Sequence, residues 1–207
     1  MFISRTRITL AVAAVGLIVA GCSDDSDSMP GMDHSTSSSA VATSAPGART
    51  DFNDADVAFL QGMYPHHAQA VEMAKLVPGR SQNPQLLALA TAVEQAQSPE
   101  MQQISTLLQS FGKPVPNAAG DHGGHGATMP GMMSTAQMDA LRAATGTAFD
   151  RQWLELMIQH HKGAIAMADT EIAGGVNPES VALARAVNSA QQAEIDTMNG
   201  MLAGLPS

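Results

Sequence analysis

Four of the seven histidines stand in adjacent pairs, His66-His67 and His160-His161, and each pair is flanked by methionines, Met63 and Met73 in one case and Met157 and Met167 in the other. Imidazole nitrogen and thioether sulfur together make a ligand set for a soft transition metal, with copper the leading candidate. The two segments are copies. The stretch Met63-Tyr64-Pro65-His66-His67 through Ala74 recurs 94 residues later as Met157-Ile158-Gln159-His160-His161 through Ala168, and the register holds without a gap from Asp56/Asp150 to Leu108/Leu202. A whole folding unit has been duplicated, so the site-bearing elements are expected to meet in a pseudo-symmetric domain.

Helical periodicity decides where these side chains point. At 100° per residue, Leu60, Met63, His67, Val71, Ala74 and Val77 share one stripe with Asp56 at its start, and Leu154, Met157, His161, Ile165 and Ala168 repeat it after Asp150. His66 falls on a flanking strip with Phe59 and Met73, and His160 on one with Trp153 and Met167. Neighbouring histidines on one helix diverge, so the two members of a pair are expected to take different roles. The partner helices also turn polar residues inward. Gln97, with Glu100 at the edge of its stripe, is matched by Gln191 and Glu194. Burying an imidazole, an amide and a carboxylate in each copy is costly unless each is hydrogen-bonded or liganded. One reading is a structural hydrogen-bonded layer that fixes helix register, and the other is metal ligation by at least one histidine per copy with methionine or carboxylate help.

Two further segments carry the same donor types. Met29, Met32 and His34 lie in an N-terminal polar stretch, while His122, His125, Met129, Met132 and Met133 lie in a Gly-rich segment between the copies. Methionine in flexible polar sequence has no core to fill, and these segments read as capture arms for Cu(I). Met132 or Met133 could instead staple the short helix that Ser134 and Gln137 are set to cap. Thioethers do not protonate, whereas an imidazole with an ordinary pKa of about 6.5 loses its ligand form in acid, so binding through the paired histidines is expected to fade below roughly pH 6.

The elements that position these groups follow from the rest of the chain. Arg5 and Arg7 precede an apolar run that ends in Val19-Ala20-Gly21-Cys22, which reads as an export signal over residues 1–21 with a lipobox whose Cys22, the sole cysteine, receives lipid. Residues 22–50 are a Ser-, Asp- and Pro-rich tether without the means to form a core. Removing residues 1–21 takes away two basic and no acidic residues and moves the net charge from −9 to −11, which argues against nucleic acid and against polybasic attachment to anionic lipid. The first helical hairpin is expected over residues 51–112, a Gly/His/Met-rich loop over 113–133, and a short helix plus the second hairpin over 134–207. Asn53 with Asp56 and Asn83-Pro84 start the helices of the first copy; Thr147 with Asp150 and Asn177-Pro178 do so in the second. Pro65, opposite Gln159, is expected to bend its helix just before His66. Neither hairpin can bury its stripe alone, so the fold class is an all-α four-helix bundle.

The doubled Met-x-x-His-His-x-x-Ala-x-x-Met-Ala motif, the Phe149-Asp150 before the second copy and the Gln-x-x-Glu of the following helices resemble the "domain of unknown function 305" family of exported bacterial proteins. The resemblance spans about residues 52–203. It implies a ferritin-like bundle, gives weight to both His-His pairs, and links to copper binding and resistance in some members.

Three functions are compatible with this sequence. The first is a membrane-anchored extracytoplasmic protein that sequesters or buffers copper, its partners being the metal ion, the membrane through the lipid, and either a second copy of the chain or a metal-exchange protein. The second is a non-catalytic interaction module whose polar core is structural. The third, a ferritin-like dimetal oxidase, would need Glu-x-x-His on two helices. No glutamate from residue 51 onward is followed by a histidine three positions later, and no hydrolase motif is present, so the protein is expected not to be an enzyme.

Overall fold

The structure, a computed structural model, describes residues 49–118 and 129–206. The export signal, almost all of the tether, Cys22, Met29, Met32, His34, His122 and His125 lie outside the described residues. Within them all regular structure is helical. Helices α1 (Asp54–Leu76) and α2 (Pro84–Ser110) form the first hairpin, α3 (Thr135–Ala143) is a short connector, and α4 (Gly146–Gly174) and α5 (Pro178–Gly204) form the second. The hairpins join along α1 and α4, which run antiparallel, and α2 and α5 flank this pair to complete a four-helix bundle.

Local chemistry sets the boundaries. Asn53 accepts from the amides of Ala55 and Asp56, while Asp56 accepts from the Asn53 amide at 2.7 Å, a reciprocal capping box. Asn83 and Asn177 each cap two amides ahead of a proline in the first turn, where the missing N–H costs nothing. Ser134 and Gln137 cap α3 reciprocally. The start of α4 differs from expectation. Thr145 is its N-cap and makes no side-chain cap bond, and the helix begins at Gly146, whose φ of +61° and amide bond to the Arg80 carbonyl set the turn instead. The α1 helix runs through Pro65, and α2 through Pro99, without a break in the helical assignment. Pro65 is buried, and the packing around it holds the helix together despite the lost backbone bond.

The core has two apolar clusters, and the order along each helix shows what lies between them. On α1, Phe59, Leu60 and Met63 belong to one cluster and Ala70, Met73, Ala74 and the following Val77 to the other. Leu86, Ala90 and Val93 are separated from Ile104 and Leu107 on α2, Met157 and Ile158 from Ala164 and Ala168 on α4, and Val187 from Ile195 on α5. The intervening residues include His66, His67, Gln97, His160, His161 and Gln191, all buried. Duplication has thus stacked two apolar layers on a polar waist.

Candidate metal centre

The two members of each histidine pair do diverge. His67 and His161 point toward the partner helix of their own hairpin, where Nε2 of each donates to a carboxylate, Glu100 at 2.6 Å and Glu194 at 2.5 Å. Because a carboxylate accepts, a ring hydrogen sits on Nε2, and in the neutral ring Nδ1 would carry the lone pair. Both Nδ1 atoms are buried without a hydrogen-bond partner. These pairs tie α1 to α2 and α4 to α5 while fixing the tautomer that a metal could use.

His66 and His160 meet across the seam between the copies, their ring centroids 3.8 Å apart and the planes tilted by 42°. Both are fully buried on the flanking strip where periodicity puts them. A helical wheel assumes one partner, whereas α1 and α4 each have two, so the flanking strip is a second buried face. Nε2 of His66 donates to the Pro130 carbonyl at 3.0 Å, leaving its Nδ1 unpartnered, and neither nitrogen of His160 has a partner. Gln97 and one oxygen of Gln191 are buried unpaired in the same waist. Native proteins leave few such atoms unsatisfied, and a missing ligand is one of the standard reasons.

Burial pushes the His66 pKa down to about 3, with His67 and His161 adding to the effect against the opposing Pro130 bond. Burial likewise holds His160 well below the usual histidine range, reinforced by the other three rings against a smaller opposing effect of the His66 backbone. Both shifts favour the neutral, ligand-competent form of these two imidazoles below the usual histidine range.

The Met-rich segment is built into this seam. Met129 to Met132 form a turn closed by the Met132 amide on the Met129 carbonyl, with Pro130 second and Gly131 third at φ +79°, the pattern of a type II turn. Gly131 lies against the backbone of α4, where a Cβ would come 2.8 Å from the carbonyl oxygens of Gln159 and His160. A Cβ on Gly163 would fall 2.0 Å from the Pro130 carbonyl oxygen, so that position admits only glycine while the turn is docked. Its counterpart in the first copy, Gln69, holds the other end of the segment. The Gln69 amide donates to the Met133 carbonyl at 2.9 Å and accepts from the Met133 amide at 2.7 Å. One strap is clamped to both copies at equivalent helical positions and closes over His66.

This placement sorts the candidate methionines. Met63, Met73 and Met157 are fully buried in the apolar clusters, and Met73 also lies beneath Trp153, whose indole donates to its carbonyl at 2.9 Å. Met133 is not a capture arm. It is buried with Met138, and the pair occupies the two staple positions around the α3 cap. Met129, Met132 and Met167 are half-buried at the surface. Among the described residues, no three His, Cys, Asp or Glu side chains converge as a metal-binding group. A shallow groove of about 560 Å3 on the outer face of the first hairpin is lined by none of the paired histidines.

The remaining acidic candidates serve the ends of the bundle. Asp56 accepts from the Asn177 amide at 3.0 Å and the Val176 amide at 3.3 Å, joining the start of α1 to the start of α5. Burial alone would raise its pKa, but the bonds from Asn53, Glu171, Asn177 and Val176 outweigh it and hold the carboxyl below its usual range. Glu171, which the sequence reading missed, faces Asp56. Burial, then the bond to Asp56 and its charge, push the Glu171 pKa up to about 8. Two ionised carboxylates only accept, so a hydrogen bond between them requires a proton, and the raised pKa of Glu171 makes it the group that would carry one. Asp150, equivalent to Asp56, is buried with one oxygen unpaired.

The domain of unknown function 305 (DUF305) matches residues 56–202. The chain belongs to this family. A crystal structure of a DUF305 protein from Streptomyces coelicolor, described as secreted, is 30% identical, with 72% of this chain and 93% of that chain covered and a TM-score of 0.66. A DUF305 fragment from Deinococcus radiodurans is 34% identical, covering 74% and 98% respectively, with a TM-score of 0.65. CopM in its Cu(II)-bound form is 33% identical over 72% of this chain and 96% of that one, with a TM-score of 0.62, and Cu(I)- and silver-bound forms of CopM match as well. No curated protein matches. Among the described residues no helix is long and apolar enough to cross a membrane.

Proposed function

We propose that this DUF305 protein binds copper, as Cu(I), outside the cytoplasmic membrane and sequesters it there without turnover. The carrying observation is the His66–His160 contact, where fully buried imidazole nitrogens lack hydrogen-bond partners at the seam between the copies. Nδ1 of His66 and the unprotonated ring nitrogen of His160 would be the ligands, with His67 and His161 held by their glutamates as supporting donors. The donor set suits the ion, and similar structures of CopM carry copper or silver. The signal-like N-terminus ending in Cys22 supports attachment to the membrane by lipid, and the similarity to a protein described as secreted agrees with an extracytoplasmic location. A second copy or a metal-exchange protein would then receive the ion.

The test is titration of the full mature protein with Cu(I) against a chromophoric competing chelator. At least one equivalent should bind, and His66→Ala with His160→Ala should abolish the tightest one while circular dichroism shows the helices intact. Retention of every equivalent in a folded double variant would remove the seam from the site. An absence of any melting-temperature rise with Cu(I) in the wild type would favour the structural-core reading, since a ligand bound only by the native state must stabilise it.

A further inference from the structure

The strap does more than cover His66, because it brings a thioether to a place where α4 already supplies one. On α1, Gly62 lies one turn before His66; on the antiparallel α4, Met167 lies two turns beyond His160. A Cβ built on Gly62 would stand 3.6 Å from Sδ of Met167 and 3.7 Å from Sδ of Met129. Two sulfurs from segments 38 residues apart in sequence thus converge over one glycine, on the same side of the seam as the docked turn.

Three features distinguish this from incidental packing. Gly62, Met129 and Met167 are all half-buried, unlike the closed histidine rings. Glycine inside a helix costs about 1 kcal/mol relative to alanine, and the second copy has Leu156 at the equivalent position, so the missing side chain at 62 leaves room that the fold does not itself require. Met129 is also presented on a fixed base, since the turn that follows it is anchored by the Pro130 carbonyl on His66, by Gly131 on the α4 backbone and by the Gln69–Met133 pair. Preorganised donors lose less freedom on binding than a floppy arm does.

We infer that Met129 and Met167 form an outer two-thioether site over Gly62 for a soft monovalent cation, Cu(I) or Ag(I), through which the ion passes on its way to the buried histidines. This rests on the reading of the chain as a soft-metal binder and adds where the ion first lands. Thioether sulfur discriminates against hard and borderline divalent ions, so the outer site selects the monovalent metal before the imidazoles see it. The same turn that supplies Met129 bonds His66, which couples occupancy outside to the closure of the ring inside.

The experiment is an Ag(I) titration of the full mature chain carrying 13C-methyl methionine, with resonances assigned from single Met→Leu variants. Leucine keeps the volume and removes the sulfur. The Met129 and Met167 methyl signals should shift together along one binding curve, and Met129→Leu should abolish the shift of Met167, and the converse. Affinity at this site should fall by more than the roughly 10–100-fold that loss of a supporting contact costs. Gly62→Leu, which copies the second repeat, should remove the coupled shift with the helices intact. Independent or absent movement of the two methyls, with silver bound elsewhere on the protein, would overturn the inference and leave the proposed function standing. Absence of any silver or Cu(I) binding by the wild type would overturn both.

Discussion

The two ends of the α1–α4 seam are copies of one sequence that have been finished differently. At one end Met73 is sealed: Trp153 covers it and bonds its carbonyl, Met133 and Met138 share its cluster, and Leu156 packs against the same cluster. At the other end the equivalent Met167 packs, half-buried, against the cluster that holds the smaller Phe59, and its sulfur stands with that of Met129 over the glycine at position 62. One methionine is core and its twin is at the surface beside a second sulfur. Duplication supplies two equal scaffolds; the single strap, having one direction, can finish only one end as a lid on the core and the other as an accessible edge.

The largest expected effect comes from breaking the sealed end. Trp153→Ala should cost about 3–5 kcal/mol of unfolding free energy in denaturant titration, through lost packing and an emptied core site, and should expose Met73 to oxidation by peroxide. Retention of wild-type stability would show that the two ends are less different than their packing indicates.

Next in size is release of the strap. Gly163→Ala forces a Cβ into the Pro130 carbonyl, and either the turn lifts or α4 shifts, a strain of about 1–3 kcal/mol. Gln69→Ala leaves the buried Met133 amide and carbonyl without their partner, at about 1–3 kcal/mol. Both variants should alter the nitrogen-15 shift of His66 Nε2, because both loosen its Pro130 acceptor. If only Gly163→Ala does so, the clamp on the first copy is independent of the turn.

A pH series separates the ends by charge. Glu171, whose counterpart in the first copy is Val77, has a folded pKa raised to about 8 against an ordinary 4.5. The folded protein therefore holds this proton more tightly than the unfolded chain. The resulting stability is fully present below about 4.5, declines as pH rises, and is gone above about 8. Glu171→Gln, which keeps a donor toward Asp56 and cannot ionise, should flatten the decline of the melting temperature between pH 6 and about 8. An unchanged slope would mean that the pair is solvated in solution.

The smallest expected effect on stability is Gly62→Leu, within about 1 kcal/mol of wild type, because the better helix former offsets the crowding of two flexible sulfurs. Its stability should barely change while its silver response is lost, and that separation is what an open end with a ligand role requires.

Much of the architecture was legible in advance, for reasons that particular residues make clear. Asn53, Asn83, Asn177 and Ser134 cap helices because capping is local chemistry, and the stripe through Leu60, His67 and Val71 is buried because a helix presents one face per 3.6 residues. The inward Gln97 and Gln191 were readable from the same period. The period did not reveal that His66 and His160 face each other, since that depends on which helix lies against the second face of α1. Thr145 in place of Thr147 at the start of α4 was missed because the Arg80 carbonyl, 66 residues earlier, fixes the turn at Gly146. Glu171 gave only a weak signal, a carboxylate at a position where the first copy has an apolar residue.

The sequence by itself determined that there are two helical hairpins, that each carries an imidazole, an amide and a carboxylate inward, and that methionines accompany them. Those facts follow from residue type and helical period, both properties of neighbouring residues. Only the tertiary structure decided that His67 and His161 are held by Glu100 and Glu194 while His66 and His160 touch across the seam, that Met133 is core while Met129 faces Met167, and that the strap is clamped by Gln69 and Gly163. Each of these joins residues more than 30 positions apart, and which of them meet depends on how one hairpin packs against the other and where the strap between them docks.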